Sequence, residues 1–424
     1  MWTFFLFCYN NHMKKIDVHK RNRRIVTIYS LIIRAASLFA RKKEGVKIVK
    51  LGDLPRPPYL VISTHASFMD FFISIKANQP YKPYWVSTIE EYIDKDYIFR
   101  ALGIIPKRKF TNDPISASLV MDALQTRKKS LIVYPEARYS FVGKPERIDR
   151  GLAKLAKMCE VPIVFMQCNG DYLRDPQWGD HKIRKVKGMV AYMRCIVKRR
   201  QVKEMSVEEI NMLIDQNFKY DDEKFQLDHH IKIDYPNRAV GIERILYKCP
   251  HCGKEYEMSS SGSTFKCDAC GATYSYNEDG TISCTNGDSK FTKVSDWYYW
   301  EKDCVRKEVN DGTYFFEDDI RLEHLEGVGV GFVPMQGNFH LTHSIDKGIV
   351  VTDDNGVVYE RSSLQSYAIH IEYDYKKRGG CIDLATNTET YFAYPLNNVK
   401  ALTKIHFAVE IIYDKLKGDL KKED

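Results

Sequence analysis

Residues 59–70 read Tyr-Leu-Val-Ile-Ser-Thr-His-Ala-Ser-Phe-Met-Asp. The first five, Tyr59–Ser63, are a short apolar run of the length that suits a buried strand. The run stops at Thr64, and Ala66–Lys76 is expected to be helical. A strand that hands over to a helix within a few residues is the building unit of an α/β sheet. The same alternation recurs downstream. A helix is expected over Ile115–Thr126, with Leu119, Val120, Ala123 and Leu124 on one face, then a buried strand over Leu131–Tyr134. A basic amphipathic helix over Arg150–Cys159 and a strand over Val161–Cys168 follow. This order predicts an α/β domain with a mostly parallel sheet.

The chain has 424 residues, enough for two or three domains of ~100–200 residues each. With 44% hydrophobic and 28% charged residues it is globular in composition, not disordered or collagenous. No apolar run approaches the ~20 residues of a membrane span, because Ile25–Ala40 is broken by Arg34. The net charge of +8 is unevenly placed. Residues 1–50 hold twelve Lys and Arg but only Asp17 and Glu44 as acids, so the remainder is slightly acidic. Within that arm, Ile25, Ile28, Leu31, Ile32, Ala35, Leu38 and Phe39 recur at helical spacing between basic clusters. Such a helix can lie in a lipid headgroup layer, or pack on the body of the protein. The eleven cysteines and the lack of a convincing secretory signal fit a reducing, intracellular compartment.

Two of the cysteine pairs stand together. Cys249, Cys252, Cys267 and Cys270 form C-x2-C-x14-C-x2-C, with Gly253 and Gly271 after each pair. Four thiolates at this spacing close a tetrahedral shell, which predicts a zinc ribbon with structural Zn2+. Asp268, Glu255 and Glu257 surround it, so no nucleic-acid partner is expected. Ser259–Thr264 reads as a polar loop and Asn277–Lys290 as a linker. From about residue 295 aromatic and β-branched runs dominate, at Thr313–Phe316, Gly348–Thr352, Val357–Glu360, Tyr367–Tyr375 and Thr390–Tyr394. Asp354-Asn355-Gly356 is a hairpin turn signal. Leu402, Ile405, Val409, Ile412 and Leu416 give the closing segment one helical face. Antiparallel strands capped by one helix are compatible with a pleckstrin-homology-like barrel.

Three segments of the α/β part carry candidate chemistry. His65 and Asp70 stand five apart at a strand-to-helix junction. There a His is kept neutral by the helix dipole, and a carboxylate can fix its tautomer, which makes a general base with its orienting acid. Alone, H-x4-D is a weak signal. Residues 134–140, Tyr-Pro-Glu-Ala-Arg-Tyr-Ser, leave the carboxyl end of a buried strand, where open α/β sheets place ligands. They carry Glu136 and Arg138. Residues 103–109, Gly-Ile-Ile-Pro-Lys-Arg-Lys, put Arg108 between two lysines, a phosphate-compatible group or a solvated basic loop.

Together these segments resemble the glycerophospholipid acyltransferases, of which 1-acylglycerol-3-phosphate acyltransferase is the best-known member. That family shows H-x4-D, G-x-[IL]-x-x-R, P-E-G-T-R-S and V-P-[IV] blocks in order. Here they are His65 to Asp70, Gly103 to Arg108, Pro135 to Ser140, and Val161-Pro162-Ile163. Thr64 stands where the family often has Asn. Ala137, Arg138 and Tyr139 replace its Gly, Thr and Arg. The resemblance implies direct acyl transfer, with His65 and Asp70 catalytic and Arg108, Glu136 and Arg138 holding a phosphate-bearing headgroup. It implies acyl-CoA or acyl-carrier protein as donor and a lysophospholipid, 1-acylglycerol 3-phosphate first, as acceptor. A lysoglycolipid or glycerol 3-phosphate is the variant acceptor, and a non-enzymatic membrane- or partner-binding protein on a degenerate scaffold is the rival reading.

The expected organisation is therefore a basic membrane-contact segment over 1–45, an α/β acyltransferase domain over 46–245, a small zinc ribbon over 246–288, and a β-rich domain with a C-terminal helix over 289–424. The expected location is peripheral or monotopic, at the cytoplasmic face of the cell membrane.

Overall fold

The computed structural model describes residues 45–423, with side chains to residue 418. The amphipathic helix expected in the basic arm lies outside the described residues. Among the described residues, no helix is long and apolar enough to cross a membrane.

The first seven strands are β1 (Lys47–Leu51), β2 (Leu60–Ser63), β3 (Tyr84–Thr88), β4 (Ile104–Lys107), β5 (Leu131–Val133), β6 (Ile163–Asn169) and β7 (Val190–Val197). They form one sheet in the order β1-β7-β6-β2-β5-β3-β4. The five strands from β6 to β4 are parallel. β7 runs antiparallel to β6, and β1 is parallel to β7, so the sheet is mixed. Leu60 and Ile62 of β2 pack on one face with Leu131, Val133, Leu152 and Ile210. Val61 packs on the other with Ile73, Ile132 and Val164. Burial on both faces is why these strands read as unbroken apolar runs.

The helices start where local chemistry supplies caps. Asp113 accepts from the Ile115 and Ser116 N–H groups, with Pro114 at the first helical position, and opens Pro114–Met121. That helix ends at Met121 and continues as a wider π turn over Asp122–Thr126. Ser206 and Glu209 form a reciprocal capping box for Val207–Asn217. The first helix spans Met69–Ala77, three residues later than expected. Asp70 draws residues 66 and 67 into a turn instead.

Two further sheets follow. β8 (Met258–Ser261), β9 (Thr264–Cys267), β10 (Thr273–Tyr276) and β11 (Ile282–Cys284) make a four-stranded antiparallel sheet around the cysteine pairs. The expected polar loop over Ser259–Thr264 is the β8–β9 hairpin, and the expected linker over Asn277–Lys290 contains β11. Both are polar because this small sheet buries only alternate residues, Phe265 and Tyr274 among them. Residues 294–310, expected within a β-rich region, are a helix, Val294–Asn310. Its aromatic residues mask a helical period, yet Val294, Trp297, Tyr298, Val305 and Val309 share the buried side.

The last sheet comprises β12 (Phe316–Leu325), β13 (Phe332–Pro334), β14 (Phe339–Ser344), β15 (Gly348–Asp353), β16 (Gly356–Arg361), β17 (His370–Glu372), β18 (Cys381–Ala385) and β19 (Thr390–Pro395). Its order is β16-β15-β14-β12-β19-β18-β17, with β13 beside β12. Asp354 and Asn355 turn β15 into β16, as their sequence predicts. The helix Leu402–Glu423 closes the chain.

These parts share one core. Phe141 and Trp178 of the α/β part, Phe265 and Tyr274 of the small sheet, Trp297 and Tyr298, and Phe407 of the last helix are contiguous. A buried ion pair crosses the same boundary. The Arg138 guanidinium has no exposed surface; its Nη2 donates to Glu410 Oε1 at 2.5 Å, and its Nη1 to the Ile369 carbonyl at 2.9 Å. Glu410 also holds Lys302 at 2.8 Å, so removing Arg138 leaves that buried carboxylate with one cation in place of two and the Ile369 carbonyl without its donor, a loss of about 3 kcal/mol. Arg138→Ala is therefore expected to lower the denaturation midpoint sharply. A midpoint equal to wild type would show that the contact bears no load.

Candidate active site

The three chemistry-bearing segments all leave the carboxyl ends of parallel strands. The His65 turn follows β2, residues 134–140 follow the neighbouring β5, and Arg108 follows β4 at the sheet edge. Hydrogen bonds lock these loops together. Ser140 N–H donates to the His65 carbonyl at 2.8 Å, and Thr64 N–H to the Met166 carbonyl of β6 at 3.2 Å. The Thr64 hydroxyl in turn accepts from Cys168 N–H at 2.9 Å. Thr64 thus ties the His65 turn to β6 through both its backbone and its hydroxyl.

His65 and Asp70 meet as their spacing predicts. Asp70 Oδ2 lies 3.1 Å from His65 Nδ1 and accepts from the Ala66 N–H at 2.7 Å and the Ser67 N–H at 3.2 Å. The carboxylate thereby fixes the ring with Nδ1 protonated, leaving Nε2 as the basic nitrogen. The imidazole stacks on Tyr134 with centroids 3.9 Å apart, and Tyr139 flanks it at 4.3 Å. Burial, with the Lys109 ammonium nearby, pushes the His65 pKa down to about 3. Burial raises Asp70 to about 6 against the pull of its two backbone donors.

The expected headgroup residues divide. Lys107 donates to the Thr111 carbonyl at 2.9 Å, and Lys109 pairs with Glu90 at 2.9 Å. Arg108, between them, is 3% exposed, and its Nε finds no hydrogen-bond partner. Neither does any ion pair of the described residues engage its guanidinium. A buried, planar, unsatisfied cation is suited to an oxyanion such as phosphate. Glu136 and Arg138 are occupied by protein instead. Glu136 Oε1 accepts from Glu146 N–H at 2.7 Å and from the Tyr220 hydroxyl at 2.8 Å, and burial lifts its pKa to about 8. Arg138 is bound to the last helix, and its neighbour Ala137 takes the left-handed backbone (φ 53°) that glycine adopts freely.

The C-terminal sheet reaches this edge. Gln177 donates to the Ile371 carbonyl and to Glu372, and the Arg361 guanidinium to the Phe110 carbonyl at 2.6 Å. His370 and Glu372, 2.8 Å apart, lie in the field of Lys109. No sequence signal linked β17 to these loops, because the contact joins residues more than 190 positions apart. Tyr134, Tyr139 and Asp171 are the other residues missed; Asp171 follows β6 directly, at the same sheet edge as His65.

The four cysteines also converge. Cys249 and Cys270 Sγ atoms are 3.7 Å apart, as are those of Cys252 and Cys267, and all four lie within 4.8 Å of one another. A tetrahedron with ~2.3 Å metal–sulfur bonds has edges of about 3.8 Å. Gly253 and Gly271, both at positive φ, complete two equivalent turns. The donor set can hold one metal ion.

The geometry predicts that His65 stays neutral well below pH 6. Its ring nitrogens, followed by 15N NMR, are expected not to titrate between pH 8 and pH 5. A midpoint near the ordinary value of ~6.5 would contradict the half-buried, Lys109-flanked setting.

Comparison with known proteins agrees on the first part of the chain. Residues 45–168 match the family model described as Acyltransferase. A search of curated proteins finds no match. Among solved structures, the crystal structure of the 1-acyl-sn-glycerophosphate acyltransferase PlsC from Thermotoga maritima is similar at 14% identity and a TM-score of 0.34. The alignment covers 51% of this chain and 88% of that one, a likeness too distant to bear on the fold or the chemistry. Residues 45–168 thus carry the sequence pattern of an acyltransferase domain.

Proposed function

We propose that the protein is an O-acyltransferase that moves a fatty acyl group from acyl-CoA or acyl-carrier protein to the hydroxyl of a lysophospholipid, 1-acylglycerol 3-phosphate first. The observation that carries this reading is the His65–Asp70 pair at the carboxyl end of β2, its carboxylate buried and its imidazole partly open to solvent. In this mechanism His65 Nε2 takes the proton of the acceptor hydroxyl as its oxygen attacks the thioester carbonyl. Asp70 holds the ring and stabilises the imidazolium that forms. The thiolate leaves and recovers the proton. Arg108 holds the acceptor phosphate. The basic segment over residues 1–45 brings the protein to the cytoplasmic face of the membrane, where a lysolipid acceptor lies.

The engagement of Arg138 by Glu410 favours a second acceptor class. With one guanidinium open instead of two, a lysoglycolipid, which has no phosphomonoester to hold, fits the same chemistry; glycerol 3-phosphate carries the same headgroup as 1-acylglycerol 3-phosphate and would need Arg108 in the same way. The converged thiolates support structural Zn2+ in a zinc ribbon, and the strand order with its closing helix supports a pleckstrin-homology-like barrel for the last sheet.

The deciding experiment is acyl transfer from labelled donors to a panel of lysolipids. Wild type is expected to acylate at least one acceptor, and folded His65→Ala to lose at least ~10^3-fold in rate. Turnover retained in that variant would overturn the assignment of His65. Arg108→Ala is expected to raise KM for a phosphate acceptor about tenfold or more, since charge-assisted bonds to phosphate are lost. An unchanged KM would remove Arg108 from the headgroup site. One zinc per chain is expected by metal analysis of the purified protein, with Cys252→Ser losing it. A metal-free protein of unchanged stability would contradict the ribbon.

A further inference from the structure

Behind His65 and Asp70 sits a third carboxyl that the mechanism above does not use. Asp171 follows β6 and is 1% exposed. Ser67 ties it to the catalytic pair: Ser67 N–H donates to Asp70 Oδ2 at 3.2 Å, while Ser67 Oγ donates to Asp171 Oδ2 at 2.5 Å. The remaining oxygens, Asp70 Oδ1 and Asp171 Oδ1, are both buried with no N–H or O–H donor from the protein. Ser67, bonded to both, brings the two carboxyls side by side, and each, with the Cys168 thiol beside Asp70, bears on the other's protonation. Two acceptors cannot bond without a proton between them.

We infer that Asp171 is a positioning residue for acyl transfer, holding a proton that it donates to Asp70 Oδ1 and so keeping Asp70 anionic toward His65. This rests on the acyl-transfer reading for its kinetic consequence, but the proton itself does not. The surroundings favour Asp171 as the acid. Burial, and then the Asp70 charge, raise its pKa well above the carboxylate range, whereas Asp70 rises only to about 6. The other ionisable groups facing the pair are His65, Asp222 from the helix Asp222–Asp228, Cys168 of β6, Tyr134 after β5, and Arg174, whose Nη1 is 3.5 Å from Asp171 Oδ1. Burial lifts Asp222 to about 8, so near neutrality it adds little charge. Among the described residues Arg174 is the cation that opposes this rise, and its Nη1 stands 3.5 Å from Asp171 Oδ1, the distance of an ion pair.

The sign of the effect separates the two protonation states. If Asp171 carries the proton, Asp171→Asn keeps a permanent N–H donor at the same place and changes no charge. Its acid limb of kcat/KM is then expected to stay within about 0.3 pH unit of wild type, with kcat within ~3-fold. Asp171→Ala removes the donor, so Asp70 protonates more easily; the limb moves up by about one unit and kcat falls about tenfold, with acceptor KM unchanged. If Asp171 were ionised, both variants would delete a negative charge beside Asp70, and both limbs would move down. That downward shift overturns the proposal. Should Asp171→Ala not fold, the Asn variant still decides the sign.

A direct readout is the isotope-edited infrared difference between wild type and Asp171→Asn at pH 7. A carboxylic-acid carbonyl band present only in wild type is expected, and its absence overturns the shared proton whatever the kinetics. A wild-type protein with no acyl transfer would overturn the proposed function, leaving the infrared band to judge the carboxyl pair.

Discussion

One buried carboxylate organises the site. Asp70 has no exposed surface, and an ion placed there without partners would be strongly disfavoured. Its Oδ2 gathers the Ala66 and Ser67 N–H groups and His65 Nδ1, so three donors converge on a single oxygen. That convergence shapes the chain. It winds residues 65–68 into a turn, delays the helix to Met69, and leaves His65 at the mouth of β2 with one tautomer. The same oxygen that satisfies the backbone therefore also orients the His65 imidazole. Local structure and chemistry are inseparable at this point, and a substitution at Asp70 disturbs both.

The second organising contact is between parts distant in sequence. Arg138 lies in the loop that also presents Tyr139 to His65, and it is gripped by Glu410 of the last helix and by the carbonyl of Ile369. Arg361 holds the loop of Arg108 from the same side. The β-rich region thus fixes two of the loops that follow the parallel strands. It is continuous with the edge that carries His65 through one core. Arg138 serves the interface, and the next residue, Tyr139, turns its ring to His65.

Much of this was legible from residues alone, for reasons that are physical. β2, β5 and β6 are buried on both faces, so they stand out as apolar runs. The terminal helix keeps a regular 3–4 spacing, and Asp354-Asn355-Gly356 announces its turn. The pairing of His65 with Asp70 follows from a spacing short enough to be local. What escaped was either half-exposed or long-range. β7 alternates buried and open residues between charged stretches, and β8 and β11 are short strands of a small sheet. The helix over 294–310 hides its period in aromatic residues. Arg138 read as a ligand because nothing local reveals a partner 272 residues away, and Asp171 is recognisable only once β6 is known to lie beside β2.

The central claim is that His65 activates the acceptor directly, with no acyl group stored on the protein. It is tested by incubating the full chain with a radiolabelled acyl thioester alone, then adding lysophosphatidate. The account predicts no label on the denatured protein before addition and labelled diacyl product after it. Label that remains bound to the protein, and then passes to the acceptor, would contradict it.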